Sequence, residues 1–184
     1  QSQHSSWGNP YPTYNKAVQD QSGFLNEAFI MQRKDGNDYK QVQSGSENYA
    51  QADAYNSYNF SKQTQAGEYN KTVTKLAGND NRSYVDQSGV SNYSYNRTKN
   101  GDRNLFRINQ SGEDNIATAV VESGGDDNEV KINQSGLGNL AGAEPHYTGD
   151  PGVYQDGDFN KARVDQLGEA NEVKVVQIGD YNES

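Results

Sequence analysis

Residues 129–139, with the sequence EVKINQSGLGN, contain the pattern that decides the fold of this 184-residue chain. Their first half alternates Val130, Ile132 and Gln134 with charged or polar residues, which is the period of a β-strand. Their second half is the motif Q-x-G-x-x-N, in which Gly and Asn favour a tight turn. The segment therefore predicts one strand followed by one reversal of the chain.

The same motif recurs along the chain, at spacings of 21 to 24 residues and, for the last two steps, of 11 residues. The unit is therefore eleven residues, and two units make one repeat. The nine motifs begin at Gln21, Gln43, Gln65, Gln87, Gln110, Gln134, Gln155, Gln166 and Gln177. We take each motif Asn as the start of an arc of strand plus turn, which gives fifteen arcs, or seven and a half repeats. The arcs begin at Asn15, Asn26, Asn37, Asn48, Asn59, Asn70, Asn81, Asn92, Asn104, Asn115, Asn128, Asn139, Asp150, Asn160 and Asn171.

The arcs differ in how well they keep the motif. Counted in this way, odd arcs carry the full motif and even arcs a degraded one, except that the even arc ending in Gln166 is intact. Longer spacings in arcs 92–103 and 115–127 predict bulged turns. The region from Pro145 to Pro151 predicts bulged turns or a small surface loop.

The composition excludes a conventional apolar core. Only 31% of the residues are hydrophobic and the net charge is −9, with a mean hydropathy of −1.10. Asn and Gln, at 22 and 16 residues, make up about a fifth of the chain, and Cys is absent. A chain with so little apolar surface folds only if hydrogen bonds replace much of the missing burial.

Stacked repeats supply such bonds. A repeat of strand, turn, strand and turn predicts an all-β fold: a β-solenoid of 22-residue repeats with two strands per rung, about seven to eight rungs and amyloid-like cross-β stacking. Residue i then lies against residue i+22, so the motif amides form ladders along the axis. We predict self-assembly ladders at Gln21, Gln43, Gln65, Gln87, Gln110, Gln134, Gln166 and Gln177, and at Asn26, Asn48, Asn70, Asn92, Asn115, Asn139, Asn160 and Asn171. The predicted turn glycines are Gly23, Gly45, Gly67, Gly89, Gly112, Gly136, Gly157, Gly168 and Gly179.

The pattern Q-x-G-x-x-N-x-A-x-x-x-Q, present as Gln21, Gly23, Asn26, Ala28 and Gln32, resembles the repeat of curlins, the subunits of bacterial curli fibres. The resemblance implies a secreted functional amyloid that stacks end to end into extracellular fibres of the biofilm matrix and mediates adhesion. It also implies export through an outer-membrane channel with accessory factors, and a nucleating subunit as partner.

Under this resemblance, residues 1–14 correspond to an N-terminal secretion segment and residues 15–184 to the repeat solenoid. The intact motifs near the C-terminal end also resemble the minor, nucleating subunit, so the major and minor roles both stay open. We expect head-to-tail growth, in which the C-terminal arcs pair with the arcs from Asn15 and Asn26 of the next subunit.

The outward positions allow two interpretations each. On odd arcs they form a basic ladder, which indicates either a solvated face or a surface for anionic matrix polymers; its members are Lys40, Lys62, Arg107, Lys131 and Lys174. On even arcs they form an apolar face, which indicates either lateral bundling or simple cross-strand pairing. That face comprises Phe29, Met31, Tyr49, Val73, Tyr93, Tyr95, Ile116 and Val120.

The remaining signals point away from chemistry at a pocket. His4 and His146 are the two histidines, and no nucleophile, base and carboxylate pattern accompanies the serines, so we expect neither an enzyme nor a cofactor. The acidic balance disfavours nucleic acid as main partner, and no stretch is long and apolar enough for a membrane span. The rival functions are a monomeric secreted solenoid adhesin, a calcium-binding β-roll suggested by Asp-rich turns, and an ice-binding solenoid, which lacks a Thr column.

Overall fold

The computed structural model describes residues 14–122, 124–142 and 152–184. Most of the predicted secretion segment, both histidines and the stretch from Pro145 to Pro151 lie outside these residues. The described residues form sixteen β-strands and no helix. The strands are β1 (Lys16–Phe24), β2 (Glu27–Gln32), β3 (Asp38–Ser46), β4 (Tyr49–Ala54), β5 (Phe60–Glu68), β6 (Lys71–Leu76), β7 (Arg82–Val90), β8 (Tyr93–Thr98), β9 (Leu105–Glu113), β10 (Ile116–Glu122), β11 (Glu129–Leu137), β12 (Leu140–Ala141), β13 (Val153–Asp156), β14 (Lys161–Glu169), β15 (Glu172–Val173) and β16 (Val175–Ile178).

The strands alternate between two parallel sheets. The first sheet has the order β1-β3-β5-β7-β9-β11-β14, and the second runs from β2 through β4, β6, β8 and β10 to the shorter strands. Each strand pairs in parallel with the equivalent strand of the next repeat, so that Gln21 lies beside Gln43 and Gln43 beside Gln65. The predicted all-β solenoid, with two strands per rung and a repeat of about 22 residues, is confirmed.

We number seven rungs from the first strand. Rungs 1 to 5 contain β1 with β2, β3 with β4, β5 with β6, β7 with β8, and β9 with β10. Rung 6 contains β11, β12 and β13, and rung 7 contains β14, β15 and β16. At about 4.8 Å per rung, the stack of seven is roughly 30 Å long.

The count of fifteen arcs is wrong, because the arc that begins at Asn139 continues across the loop region. β12 pairs with the start of β10 and β13 with its end, and the offset between partners rises from 24, at Ala117 and Ala141, to 34, at Ala119 and Val153. A ten-residue insertion therefore interrupts a single arc. The Gly152 amide closes its base by donating to Thr118 Oγ1 at 2.7 Å.

The merged arc shifts the assignment of the last three motifs. Gln166 belongs to the first sheet, beside Gln134, whereas Gln155 and Gln177 pair with each other in the second sheet. A strict eleven-residue count could not show this, because the 21-residue step is one arc plus ten inserted residues. The longer spacings before Asn104 and Asn128 fall in turns, and the strands on either side stay in register.

The core between the sheets changes character along the axis. In rungs 5 and 6 it is apolar, with Phe106, Ile108, Val130 and Ile132 completely buried. In rungs 3 and 4 the equivalent positions are polar, with the exception of Val85. These rungs bury Ser61, Gln63, Thr72, Thr74, Ser83, Ser94 and Asn96.

The turn glycines stack as closely as the strands do. All nine have φ between 94° and 117°, a region that side chains disfavour. A Cβ atom on Gly67 would also overlap the carbonyl oxygen of Gly89 in the next rung. Turn conformation and rung spacing therefore both require glycine at this position.

Gly67→Ala should destabilise the fold far more than Gly138→Ala. Gly138 has a φ of 62°, but a Cβ atom there would meet open space. At the equivalent position of the next rung, Ala170 adopts a φ of 51°, so this turn accepts an alanine. We expect a loss of about 1 kcal/mol for Gly138→Ala, and at least about 2 kcal/mol more for Gly67→Ala because the rungs must separate. Urea unfolding followed by circular dichroism measures both, and equal losses would contradict the stacking argument.

Candidate assembly surface: amide ladders and rung edges

The main amide ladder runs through all seven rungs of the first sheet. Each Gln Nε2 donates to the Oε1 of the next rung, at 2.6 to 2.9 Å. Several of these amides also donate to a carbonyl of the opposite sheet, as Gln43 does to Glu27 and Gln65 to Tyr49, both at 2.9 Å. The ladder therefore joins rungs along the axis and sheets across it. Its members are Gln21, Gln43, Gln65, Gln87, Gln110, Gln134 and Gln166.

Asn side chains form a ladder at each of the two turns. Asn48 is representative: its backbone N–H and its Nδ2 both donate to Asn26 Oδ1 at 3.0 Å, and Nδ2 also donates to the carbonyl of Gly67 at 2.8 Å. One ladder follows the first sheet and contains Asn26, Asn48, Asn70, Asn92, Asn115, Asn139 and Asn171. The other follows the second sheet and contains Asn15, Asn37, Asn59, Asn81, Asn104, Asn128, Asn160 and Asn182.

The structure places two of the predicted ladder residues in a different column from the one that counting along the sequence gave them. Gln177 is outside the main ladder and accepts a hydrogen bond from Gln155 Nε2 at 2.8 Å. Asn160 lies in the second Asn ladder, where its backbone N–H donates to Asn128 Oδ1 at 2.9 Å. Both differences follow from the insertion in rung 6. A role of any of these residues in self-assembly stays a prediction.

A second glutamine column was missed from the sequence. Gln19 donates to Gln41 at 3.0 Å and Gln41 to Gln63 at 2.8 Å, in a column in which Gln41 and Gln63 are buried and Gln19 is exposed. The column becomes apolar at Val85, and Gln63 Nε2 then donates to Thr74 Oγ1 at 3.0 Å. The 22-residue spacing of these three glutamines was a signal that could have identified them.

The Asp-rich turns form a column of their own. Backbone N–H groups of Asn79, Asp102, Asp126 and Asp158 each donate to the aspartate carboxylate of the next rung, at 2.6 to 2.9 Å, and the column ends at Asp180. These carboxylates are thus occupied by backbone donors. Within the described ranges, no group of three or more acidic or histidine side chains is placed to hold a metal ion.

An arginine reinforces this column. Arg103 bridges Asp127 at 2.7 Å and Asp126 at 3.2 Å, and its hydrogen bond to Asp127 raises the pKa of the guanidinium. The pair is exposed, so its contribution to stability is small.

The strand register of the first sheet changes the membership of the predicted basic ladder. Lys40, Lys62, Tyr84, Arg107, Lys131 and Arg163 are successive partners on the outer face of the first sheet. Lys174 is not among them, because it follows β15 on the side of the second sheet. We call this set, with Tyr84 as its aromatic member, the basic column.

The outer face of the second sheet carries aromatic and cationic side chains in contact. The rings of Phe29 and Tyr49 lie 5.6 Å apart. Lys71 Nζ lies 5.7 Å from the ring of Tyr49 and 5.6 Å from that of Tyr93. Cross-strand pairing is therefore present on this face, and lateral bundling stays a prediction.

Rung 1 exposes groups that are buried in every middle rung. All nine residues of β1 are exposed, and β1 and β2 each pair with a strand on one side alone among the described residues. In contrast, the ladder glutamines of rungs 2 to 6 are at most 2% exposed. The rung edge is thus a preformed template of unpaired backbone and amide groups.

Asp53 on the outer face of β4 is a buried acid, only 4% exposed. Burial raises its pKa, and the hydrogen bond from Gln51 together with the charges of Lys75 and Arg33 offsets part of this effect. On the first sheet, hydrogen bonds from Asn133 and Arg163 lower the pKa of Asp165. Ionisation of Asp53 therefore destabilises the folded state, whereas ionisation of Asp165 stabilises it.

Gln65→Ala should destabilise the solenoid by about 3 kcal/mol or more. The change removes the hydrogen bonds that Gln65 forms with Gln43, Gln87 and the Tyr49 carbonyl in a buried site, and each such bond contributes about 1 kcal/mol. Gln21→Ala, in the same ladder at the exposed rung, should cost less than about 1 kcal/mol. Chemical unfolding measures both; a Gln65 variant as stable as the Gln21 variant would refute a structural role for the ladder.

Asp53→Asn should increase the free energy of unfolding at neutral pH, because folding disfavours the Asp53 carboxylate. The difference from the parent should shrink as pH falls through the raised pKa and vanish well below 3.8, the ordinary pKa, where the parent carboxyl is protonated in both states. Asp165→Asn is the control of opposite sign. Its lowered pKa stabilises the parent at neutral pH, so this variant should be less stable there and equal to the parent in acid. Unfolding curves across pH test both, and parallel profiles would contradict the assignment.

None of the described residues forms a helix that is long and apolar enough to span a membrane. A search of curated proteins gives no match to the chain. The family model of the curlin associated repeat matches residues 101–136 and 152–183. The matched segments contain most of rungs 5 to 7, including the apolar part of the core, and the family and the fold are structural rather than catalytic. The repeat match, the 22-residue register and the glutamine and asparagine ladders together support a protein of the curlin family.

Proposed function

We propose that the chain is a self-assembling structural subunit of an extracellular functional-amyloid fibre of the curli type. Subunits add head to tail by strand stacking, and the fibre forms biofilm matrix and mediates adhesion. The observation that carries the proposal is that each ladder keeps a single direction through all seven rungs, so the two outermost described rungs are complementary.

The amide groups illustrate this complementarity. Along the main ladder every Nε2 donates toward the higher rung, and Oε1 of Gln21 in rung 1 has no donor among the described residues. In the Asn ladder the direction is reversed: each Asn donates to the Oδ1 of the rung before it, and Oδ1 of Asn171 in rung 7 has no such donor. A second copy that places its rung 1 on rung 7 of the first would fill both.

Backbone pairing supplies the rest of the junction. Strands of neighbouring rungs pair over nine residues in the first sheet with one register throughout, for example from Asp38–Phe60 to Ser46–Glu68. The outer edge of β1 offers the same nine residues to a preceding strand. A junction between subunits therefore repeats the contacts that already join rungs within one subunit, once residues 182–184, which pair with Lys161 and Arg163 at the start of β14, are displaced.

Further roles come from the family alone. We propose that the chain is secreted, has no enzymatic activity, and depends on a nucleating subunit and on an outer-membrane channel with accessory factors. Whether it forms the bulk of the fibre or nucleates it stays open, since intact motifs at Gln155, Gln166 and Gln177 suit either role.

The decisive experiment follows thioflavin fluorescence after the denatured chain is desalted into buffer at micromolar concentration, with and without calcium and with preformed seeds. We expect a lag phase that seeds shorten and that does not depend on calcium. A flat trace from a folded monomer would replace the proposal by a capped adhesin. Folding only with calcium would replace it by a β-roll.

Gln21→Ala should slow elongation on seeds while folding of the monomer stays intact, because Gln21 is exposed in one subunit and buried in a stack. We expect about a fivefold lower elongation rate, the equivalent of one lost hydrogen bond. Gln51→Ala is the matched control, since Gln51 lies on the outer face of β4 and bonds only to Tyr49 and Asp53. Equal elongation rates for both variants would show that rung 1 is not the growing junction.

A further inference from the structure

A shallow groove runs along the solenoid axis on the outer face of the first sheet. Its volume is about 570 Å³, and it crosses β5, β7, β9, β11 and β14. One wall is a column of polar side chains, Asp86, Asn109, Asn133 and Asp165. The floor is a column of small residues, with Ser88, Ser111 and Ser135 at its centre. The groove thus repeats the same chemistry on every rung.

Hydrogen bonds hold these side chains in order. Asn109 Nδ2 donates to Asn133 Oδ1 at 2.8 Å, and Asn133 donates to the carboxylate of Asp165. Ser111 donates to Ser135 at 3.1 Å. Amide, carboxylate and hydroxyl groups therefore recur at the rung spacing of about 4.8 Å along one line.

The basic column lies beside this line. Lys62, Arg107, Lys131 and Arg163 stand two residues before the polar wall on their strands, and so on the same face. Arg163 is paired with Asp165 at 2.6 Å. The other three cations form no ion pair with any described residue. Arg107 lies over the ring of Tyr84 at 6.0 Å, and the charge of Lys131 acts on Asp165. A chain with a net charge of −9 thus places a column of positive charge next to its groove.

We propose that this groove binds a linear acidic polysaccharide that lies along the solenoid axis. Asn109, Asn133 and the serine hydroxyls meet sugar hydroxyl groups, and the carboxylates of Asp86 and Asp165 accept hydrogen bonds from them. Lys62, Arg107 and Lys131 meet the acidic groups of the polymer. Because polar side chains recur along the groove from rung 3 to rung 7, an extended polymer of regular repeat contacts several rungs at once, and its affinity gains from each contact.

Nucleic acid fits this surface less well. Binding to DNA depends on many phosphate contacts from clustered cations, whereas the basic column offers few cations and is interrupted by Tyr84. The site also lies within one subunit, so it depends on the solenoid and not on fibre formation. Failure of the assembly proposal would leave it intact.

The experiment measures binding of the full chain to polygalacturonate, to neutral dextran and to double-stranded DNA at 50 mM salt. We expect binding to polygalacturonate, weaker binding to DNA and none to dextran at the same concentration. The triple variant Lys62→Gln, Arg107→Gln and Lys131→Gln should bind polygalacturonate about tenfold more weakly or worse. The control Lys71→Gln, Lys75→Gln and Arg97→Gln removes the same charge from the second sheet and should retain parental affinity within about twofold.

A second variant tests the contribution of the groove's shape independently of its charge. Ser111→Leu with Ser135→Leu fills the floor, leaves every charge in place and should also abolish most of the binding. Circular dichroism of each variant confirms that the solenoid is intact. The proposal is overturned if the two triple variants behave alike, if the leucine variant binds like the parent, or if DNA binds as tightly as polygalacturonate.

Discussion

Hydrogen bonding along the solenoid axis is the interaction on which the rest of this structure depends. Every strand of the first sheet except the outermost ones pairs with an identical register on both sides, and the side chains repeat that pattern with their own amide bonds. A buried amide is expensive to leave unpaired. Placing Gln above Gln and Asn above Asn satisfies each one with its own kind, so amides can fill positions that apolar residues hold in other folds. The low apolar content of the chain is therefore compatible with a well-defined core.

The same constraint limits what each rung can contain. A ladder works only if neighbouring rungs approach to strand-pairing distance, and glycine at the turn permits this because its missing side chain leaves room for the carbonyl of the next rung. Where the column changes residue type, a new partner is required. Gln63, which faces Val85 instead of another glutamine, finds this partner in Thr74. The middle rungs are less well satisfied, since the hydroxyls of Ser61 and Ser94 and the side-chain oxygen of Asn96 are buried without a hydrogen-bond partner in the protein.

Large buried apolar side chains are concentrated in rungs 5 and 6, toward the C-terminal part of the solenoid. Phe106, Ile108, Val130 and Ile132 lie in rungs 5 and 6, where the family match also falls. These rungs gain from the hydrophobic effect as well as from the ladders, whereas rungs 3 and 4 rely on polar contacts. The solenoid is thus regular in its backbone and graded in its core. The basic column and the groove beside it lie on the outer face of the first sheet.

Sequence periodicity was sufficient for the fold class, the two strands per rung, the turn positions and the identity of most stacked residues, because each of these depends on spacing within a repeat. Gln21 through Gln134 could be aligned by counting. The membership of the last columns was decided only in three dimensions. An insertion in rung 6 changes the count without changing the stack, so Gln166 continues the main ladder while Gln155 and Gln177 pair in the other sheet. The same shift places Arg163 in the basic column instead of Lys174. Spacing in a sequence measures chain length, whereas a ladder depends on which strands pair, and only the tertiary structure shows how much chain is looped out between them.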